Sequence, residues 1–350
     1  MQDRLRADEY DYAYPESLVA IQPSENFRIL LGGETPKEIN KSELFGLFNA
    51  GDVLVINDTR VERRRILTSN GLEILFCEPL EEEKLVWRVL FMARELNLGD
   101  SIELPGEVRA ELVSKGLPQT LKLNRPLNAA YFEQYGDLAL PPYIQKARGE
   151  RRSRKEDEKW YQTEWAKHSG SQASPTASLH FKRDDLLLLQ NMGVTVAALT
   201  LHVGVGTFLP IKSEFLHEHK MHSEYVHIPQ TTIDSVTVAK RQHRRVWALG
   251  TTVVRSLESW ATGRIGAPTG ETGVDNADGV FGNTDLFISP GYRFEVVDAM
   301  MTNFHQPRTT LLALVAAFAG QENLRRSYQY AIENQFRLFS YGDLSAWIRN

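Results

Sequence analysis

Cysteine is nearly absent. The 350-residue chain has one, Cys77, which excludes an internal disulfide and points to a reducing, cytoplasmic setting. Cys77 lies in an alternating apolar run and reads as a small core residue. Long hydrophobic runs are also missing: the longest, Leu311 to Ala319, falls far short of the ~18 residues that suggest a membrane span. The opening MQDRLRADEY has no apolar stretch, so no signal peptide is expected. Positive charge is not in excess. Lys and Arg number 40 against 45 Asp and Glu, a net charge of −5, which argues against indiscriminate nucleic-acid binding. Two catalytic signatures are lacking too. Gly204-Val205-Gly206 has neither the third glycine nor the following helix of a dinucleotide fingerprint, and no HExxH or cysteine ligand accompanies the histidines.

What is present is ordinary for a soluble globular protein: 42% hydrophobic and 24% charged residues, in a chain long enough for two domains. Positive charge is clumped at Arg60 to Arg65, Arg148 to Lys155, Arg241 to Arg245, and Arg325 with Arg326. Local patches of this kind can hold a phosphate backbone on an acidic protein, although each taken singly also fits a solvated face.

The stretch from Thr200 to Tyr225 organises the rest. It holds four of the nine histidines, His202, His217, His219 and His222. The apolar run Val194 to Leu201 reads as a buried strand that delivers His202 to a turn at Gly204 and Gly206. Pro210 keeps a helix from starting there. His217 and His219 share a face only on a strand, His219 and His222 only on a helix, so no regular element presents all three to a metal. A metal-dependent hydrolase built on that cluster is one alternative reading.

In chain order, Pro15-Glu16-Ser17 starts a helix and Ser42 to Asn49 is a short helix. Val53 to Ile56 is a buried strand ending in the polar Asn57-Asp58-Thr59-Arg60. From Arg65 to about Leu123 five short β-prone pieces follow with no helix between them, which predicts a small antiparallel barrel or sandwich. Residues 128 to 136 form a helix, and Pro141-Pro142 mark the exit. Arg148 to Trp160 reads as a mobile charged linker and Trp160 to Lys167 as a helix. GSQASPTASLHF, residues 170–181, is a small-residue loop ending at His180. Asp184 to Met192 and Ile233 to Gln242 are helices. Val246 to Leu249 is a strand, and Gly250-Thr251-Thr252 opens a helix from Val253 to Trp260, a ready anion site. Residues 261 to 284 are a loose loop. Thr302-Asn303-Phe304-His305 is a polar cluster ahead of the helices Thr309 to Ala319 and Gln321 to Phe336.

The segments GDVLVINDTRV, LPPYI, YQTEWA, SPTASLHF, TLHVGVGTFLPI, HKMHSEY, GTTVVRSLES, LFISPGYRFEVVDAMMTNFHQP, TTLLALVAAFAG and FRLFSYGD resemble, in order and spacing, the S-adenosylmethionine:tRNA ribosyltransferase-isomerases of queuosine synthesis. The similarity runs from Tyr10 to Asp343. It implies an α/β fold: a larger α/β domain, residues 1–64 and 145–350, with a small antiparallel β-barrel domain inserted at 65–144. It also implies that S-adenosylmethionine is consumed as a substrate, with no separate cofactor and no metal. The ribosyl part goes to a 7-aminomethyl-7-deazaguanine at the wobble position in a tRNA anticodon loop, giving epoxyqueuosine, adenine and methionine. A cytoplasmic monomer without membrane association is expected. A non-catalytic tRNA-binding paralogue is the other alternative.

Under that resemblance the candidate base is His202 or His222, with Glu224 as its partner, because the reaction removes a proton beside the sulfonium. Asp58 or Glu258 faces the ribose or the positive sulfur. Thr251, Thr252 and Arg255 hold an anionic group, either the substrate carboxylate or a tRNA phosphate. Gly204, Gly206, Thr207, Asn303 and His305 line the pocket, joined as substrate contacts by Asn57, Thr59, Thr176, His180 and Phe181. Arg60 and the linker arginines meet tRNA. Ser174 and Ser178 stand where the family usually has Ala and Gly, and Gln306 where it has Leu. The segment after Pro23 is shorter than usual and keeps one arginine, Arg28, in place of two.

Overall fold

Two hydrophobic periodicities divide most of the chain between two large sheets. The computed structural model describes residues 5–93, 96–204, 211–267 and 278–349. The first part contains β1 (Ile29–Leu31), β2 (Lys37–Ile39), α1 (Lys41–Phe45), β3 (Val53–Asn57) and β4 (Thr59–Val61). An all-β stretch follows: β5 (Arg65–Leu67), β6 (Glu73–Pro79), β7 (Val86–Leu90), β8 (Ser101–Leu104), β9 (Val108–Ser114) and β10 (Gln119–Leu123). It closes with α2 (Ala129–Tyr135) and β11 (Gly136–Asp137). Next come α3 (Pro142–Arg148), α4 (Asp157–Trp160), β12 (His168–Ser171), α5 (Arg183–Asn191), β13 (Thr195–Leu201), β14 (Glu224–Ile228) and α6 (Gln230–Arg241). The chain finishes with β15 (Val246–Leu249), α7 (Thr251–Ala261), β16 (Val280–Thr284), β17 (Ala299–Asn303), α8 (Thr310–Ala319), α9 (Gln321–Glu333) and β18 (Leu344–Ile348).

The nine-stranded sheet runs β16-β14-β13-β3-β15-β17-β18-β1-β2. Its centre, β13, β3, β15 and β17, is parallel. These strands are continuous apolar runs because both faces are covered. Alternation along each strand feeds two cores. Val53 and Val55 of β3 enter one cluster with α6 to α9, and Leu54 and Ile56 enter another with α1 and α5. In β15, Val246 and Ala248 go to the first and Trp247 and Leu249 to the second. All four parallel strands end on one edge, at Leu201, Asn57, Leu249 and Asn303. In open α/β sheets the crevice beyond that edge is where ligands bind.

The second sheet runs β11-β5-β6-β7-β10-β9-β8, and every pairing in it is antiparallel. Here the pattern is half-buried. Val108, Ala110 and Leu112 of β9 point inward while Arg109 and Glu111 are exposed, as for a sheet with one wet face. Its core is its own: Phe132 of α2 meets Phe76 at 5.5 Å and Trp87 at 5.6 Å, both edge-on. The outer strands β11 and β8 do not pair with each other among the described residues.

Three expectations change. The charged stretch from Arg148 is anchored, because Arg148 meets Asp157 through two bonds of 2.6 and 2.8 Å with both side chains almost fully buried. The Tyr341 hydroxyl adds a third bond to that carboxylate at 3.0 Å. The helix expected over Trp160 to Lys167 is instead the single turn of α4, which ends at Trp160. The loose 261–284 loop includes β16, whose edge pairing with β14 leaves little apolar pattern to read.

Candidate functional site

Beyond the carboxyl edge of the parallel strands lies a cavity of about 80 Å³. It is walled by the loop after β12, the start of α7, the end of β17 and the segment before β18. Ligand pockets for whole small molecules run ~300–1,000 Å³, so this space takes an end group of a substrate and not an entire nucleoside.

The start of α7 supplies the polar end. Gly250 has φ +98°, a conformation other residues rarely adopt. Intrahelical bonding begins with the Val253 and Val254 amides on the Gly250 carbonyl. The Thr251 and Thr252 amides precede these bonds at the positive end of the helix dipole, and both residues line the cavity. A short chain of bonds braces other lining residues, with His180 just outside the lining. The Thr176 hydroxyl donates to Asn303 Oδ1 at 2.9 Å, and Asn303 Nδ2 lies 3.0 Å from His180 Nε2. His305 Nε2 is 2.8 Å from the Thr302 hydroxyl. Burial pushes both His180 and His305 down to about 3, so both are neutral hydrogen-bonding groups near pH 7. Ser174 lines the same cavity with a buried hydroxyl that has no partner among the described residues.

Asn57 ties this cavity to a second cluster. Its Oδ1 accepts the Leu201 amide at 3.1 Å, and its Nδ2 donates to the Leu201 carbonyl at 3.0 Å and to the Thr252 hydroxyl at 3.3 Å. Asn57 is fully buried, so it clips β3, β13 and α7 together. Just beyond it, His202 Nδ1 lies 2.7 Å from the Thr59 hydroxyl. The imidazole stacks on Tyr225 with centroids 5.5 Å apart. Gly170 packs against the same ring. Gly170 has φ +143°, and a Cβ there would come within 2.7 Å of the ring. Asp58 accepts the Thr200 hydroxyl at 2.6 Å and lies 3.7 Å from His168 Nε2. Burial holds its carboxyl above the usual range, against the opposing pull of Thr200 and His168. Val203, the residue after His202, is itself in the cavity wall.

Other candidates serve the frame. Glu224 accepts from Arg255 and, through Oε1, from the Gly204 amide at 2.8 Å. Arg255 also donates to the Leu286 carbonyl at 3.2 Å. Both are buried, so this pair fixes the turn after β13, in place of the expected roles as partner to a base and anion holder. Glu258 is fully buried. Its two oxygens accept the amides of Glu295, Val296 and Val297 at 2.9 to 3.0 Å and the Tyr292 hydroxyl at 3.2 Å. It therefore clamps the loop before β17 and does not face a ribose. Phe181 belongs to the second core, with its ring near Phe27 and Phe45. His222 and Arg60 are exposed. Gly206 and Thr207 lie outside the described residues. Ser178 is fully buried and outside the cavity lining, while Gln306 is within it. Among the described residues no group of three His, Cys, Asp or Glu could hold a metal, which leaves the hydrolase reading without a ligand set there.

Some lining residues escaped sequence reasoning. Tyr143 and Ser340 both line the cavity and bond to each other through their hydroxyls. Each sits in a short aromatic piece, LPPYI or FSYGD, and a polar tip on an otherwise apolar segment was the available signal.

The family model described as "Queuosine biosynthesis protein" matches residues 7–346. A Geotalea uraniireducens protein named S-adenosylmethionine:tRNA ribosyltransferase-isomerase is 38% identical, over 97% of this chain and 98% of its own length. A Geobacter metallireducens protein of the same name is 39% identical over the same shares. A crystal structure of an S-adenosylmethionine tRNA ribosyltransferase from Thermotoga maritima superposes with a TM-score of 0.53 at 27% identity, covering 97% of this chain and 100% of that one.

Proposed function

This chain belongs to the queuosine biosynthesis family, and on that premise we propose that its cavity serves a ribosyltransferase-isomerase reaction. The enzyme transfers and isomerises the ribosyl part of S-adenosylmethionine onto tRNA carrying 7-aminomethyl-7-deazaguanine at the wobble position. Epoxyqueuosine-tRNA, adenine and methionine are the products. The observation that carries the reading is the meeting of the α7 amino terminus, Asn303 and the neutral His305 in one cavity at the carboxyl edge of the parallel strands, with neutral His180 bonded to Asn303 from outside the lining.

Each group has work suited to it. The Thr251 and Thr252 amides take the carboxylate of the methionine moiety. His202, its ring fixed by Thr59 and Tyr225, removes the proton beside the sulfonium. Asp58 sits near that ring's strand end and faces the positive sulfur. Thr176, Asn303, His305 and the Ser174 hydroxyl, which has no partner among the described residues, offer hydrogen bonds to the same end of the substrate, and His180 orients Asn303. Glu224 and Arg255 are positioning residues, because they hold Gly204. Exposed Arg60, Arg151 and Arg152 meet the tRNA backbone. The antiparallel sheet of 65–144 is read as an inserted barrel-like module on an α/β domain of 1–64 and 145–350. The enzyme is read as a cytoplasmic monomer that needs no cofactor; no described helix is long and apolar enough to cross a membrane.

The test mixes the protein, S-adenosylmethionine and tRNA bearing the deazaguanine base, and follows free adenine. Adenine and methionine released in step with base modification support the reading. Salt-sensitive tRNA binding without adenine release would assign a non-catalytic paralogue instead.

A further inference from the structure

A second cavity, of about 310 Å³, opens between residues 9–13 and the helices α8 and α9. Tyr10, Tyr12, Leu312, Leu324, Tyr328 and Ile332 form its apolar walls. Tyr10 is 2% exposed, and its hydroxyl is buried with no hydrogen-bond partner among the described residues. Leaving such a group unpaired is unfavourable, so a ligand that supplies the missing partner is favoured. Burial pushes the phenol up to about 12, so it keeps its proton and can donate.

Charges of both signs surround this hydroxyl. Glu9, Asp11 and Glu333 line the cavity on the acidic side and Arg325 on the basic side. Glu9 and Arg325 act on the Tyr10 phenol in opposite senses. Arg325 is 57% exposed and among the described residues its ion pair is with Glu322 at 3.6 Å, which leaves guanidinium donors for a carboxylate. A purely anionic ligand would meet three carboxylates, and a purely cationic one would leave Arg325 and the phenol donor unused. The volume lies at the lower end of the ~300–1,000 Å³ range of small-molecule sites.

We infer that this cavity binds the zwitterion of a free apolar amino acid. The side chain lies among the tyrosines and leucines, the carboxylate on Arg325 and the Tyr10 hydroxyl, and the ammonium against the acidic rim. The site is separate from the reaction cavity and shares one wall with it. Tyr12 donates its hydroxyl to the His305 carbonyl, and the Tyr328 hydroxyl accepts the His305 amide at 2.9 Å.

Calorimetric titration of the full chain with L-leucine, L-phenylalanine and L-methionine tests this. Methionine is also a product of the proposed reaction, so leucine and phenylalanine report on this cavity alone. Saturable binding of leucine or phenylalanine is expected. Isopentylamine and 4-methylpentanoate, which each lack one charge of leucine, should bind about tenfold or more weakly, as should leucine to Tyr10→Phe and to Arg325→Met. Ile332→Trp should fill the space and abolish binding while the melting temperature holds. No saturable binding of leucine or phenylalanine at millimolar concentration overturns the inference. So does equal affinity of Tyr10→Phe and Arg325→Met with the parent, or equal binding of the amine and leucine.

Discussion

The Glu224 carboxylate accepts from the Arg255 guanidinium in the interior, where the two side chains are 2% and 4% exposed, and it accepts the Gly204 amide as well. Removing one partner leaves an uncompensated buried charge. Glu224→Ala and Arg255→Ala should each lower stability by about 3–5 kcal/mol, read from the urea midpoint at constant m-value. Glu224→Gln, which keeps an acceptor for Gly204, should cost less. A loss below ~1 kcal/mol in the alanine variants would show that the pair does not hold this turn.

His202 and His222 should separate cleanly in turnover. His202 is fixed by a hydroxyl and a ring, while His222 is exposed. His202→Ala should lower adenine release by ~10²-fold or more, the scale of a lost general base, with the fold intact by circular dichroism. His222→Ala should stay within a few-fold of the parent. The reverse order would move the base to His222.

Asp58 and Glu258 are both carboxylates near strand or helix ends, yet their surroundings assign them different work. Glu258 is saturated by three amides and a phenol. Glu258→Gln should cost about 1.5–3 kcal/mol of stability, the worth of hydrogen bonds to a charged group, and leave kcat of the folded protein unchanged. Asp58→Asn should leave the melting temperature near its parent value and lower kcat. Loss of kcat in Glu258→Gln at unchanged stability would reverse the assignment.

His180 and His305 make the fold acid-sensitive. Both sit at about 3 when folded, against an ordinary value of ~6.5 in the unfolded chain. Between those values the unfolded chain binds more protons, so stability rises with pH there. The benefit of keeping the rings neutral is fully present above about pH 6.5 and erodes as pH falls towards 3, by up to about 1.4 kcal/mol per unit per histidine. Urea midpoints at pH 7 and pH 5 should therefore differ, and His305→Gln should remove about half of the histidine contribution. A His305→Gln variant with the parent's pH dependence would show that this ring protonates without opposing the fold.

The centre of the fold was readable because burial on both faces leaves an unmistakable apolar run. Val246 to Leu249 was placed to the residue, and the Val53 and Val194 strands and helices α5, α6 and α7 to within a few positions. Edge strands were not readable. β2 and β16 are three and five residues long and only partly apolar, so no period could form. In the site, Thr176, Thr251, Thr252, Asn303 and His305 do converge on one cavity. Thr251, Thr252, Asn303 and His305 followed an apolar strand or opened a helix, which is a local signal, whereas Thr176 came from the family resemblance. Glu224, Arg255 and Glu258 looked like chemistry because they are charged residues near glycines and strand ends. Their partners come from segments about 30 to 40 residues away, and sequence spacing does not report such pairing.

The antiparallel sheet begins and ends side by side. Arg65 and Ile66 of β5 pair with Asp137 and Gly136 of β11, so the chain leaves the central frame and returns through neighbouring strands. To that frame the whole excursion is equivalent to one tight hairpin, because the ends are already closed and the detour keeps its own core. Lengthening, trimming or exchanging the far strands adds little closure entropy, which grows only slowly with the length of the excursion. The surface presented at that end of the molecule can therefore drift during evolution while the reaction cavity stays in register.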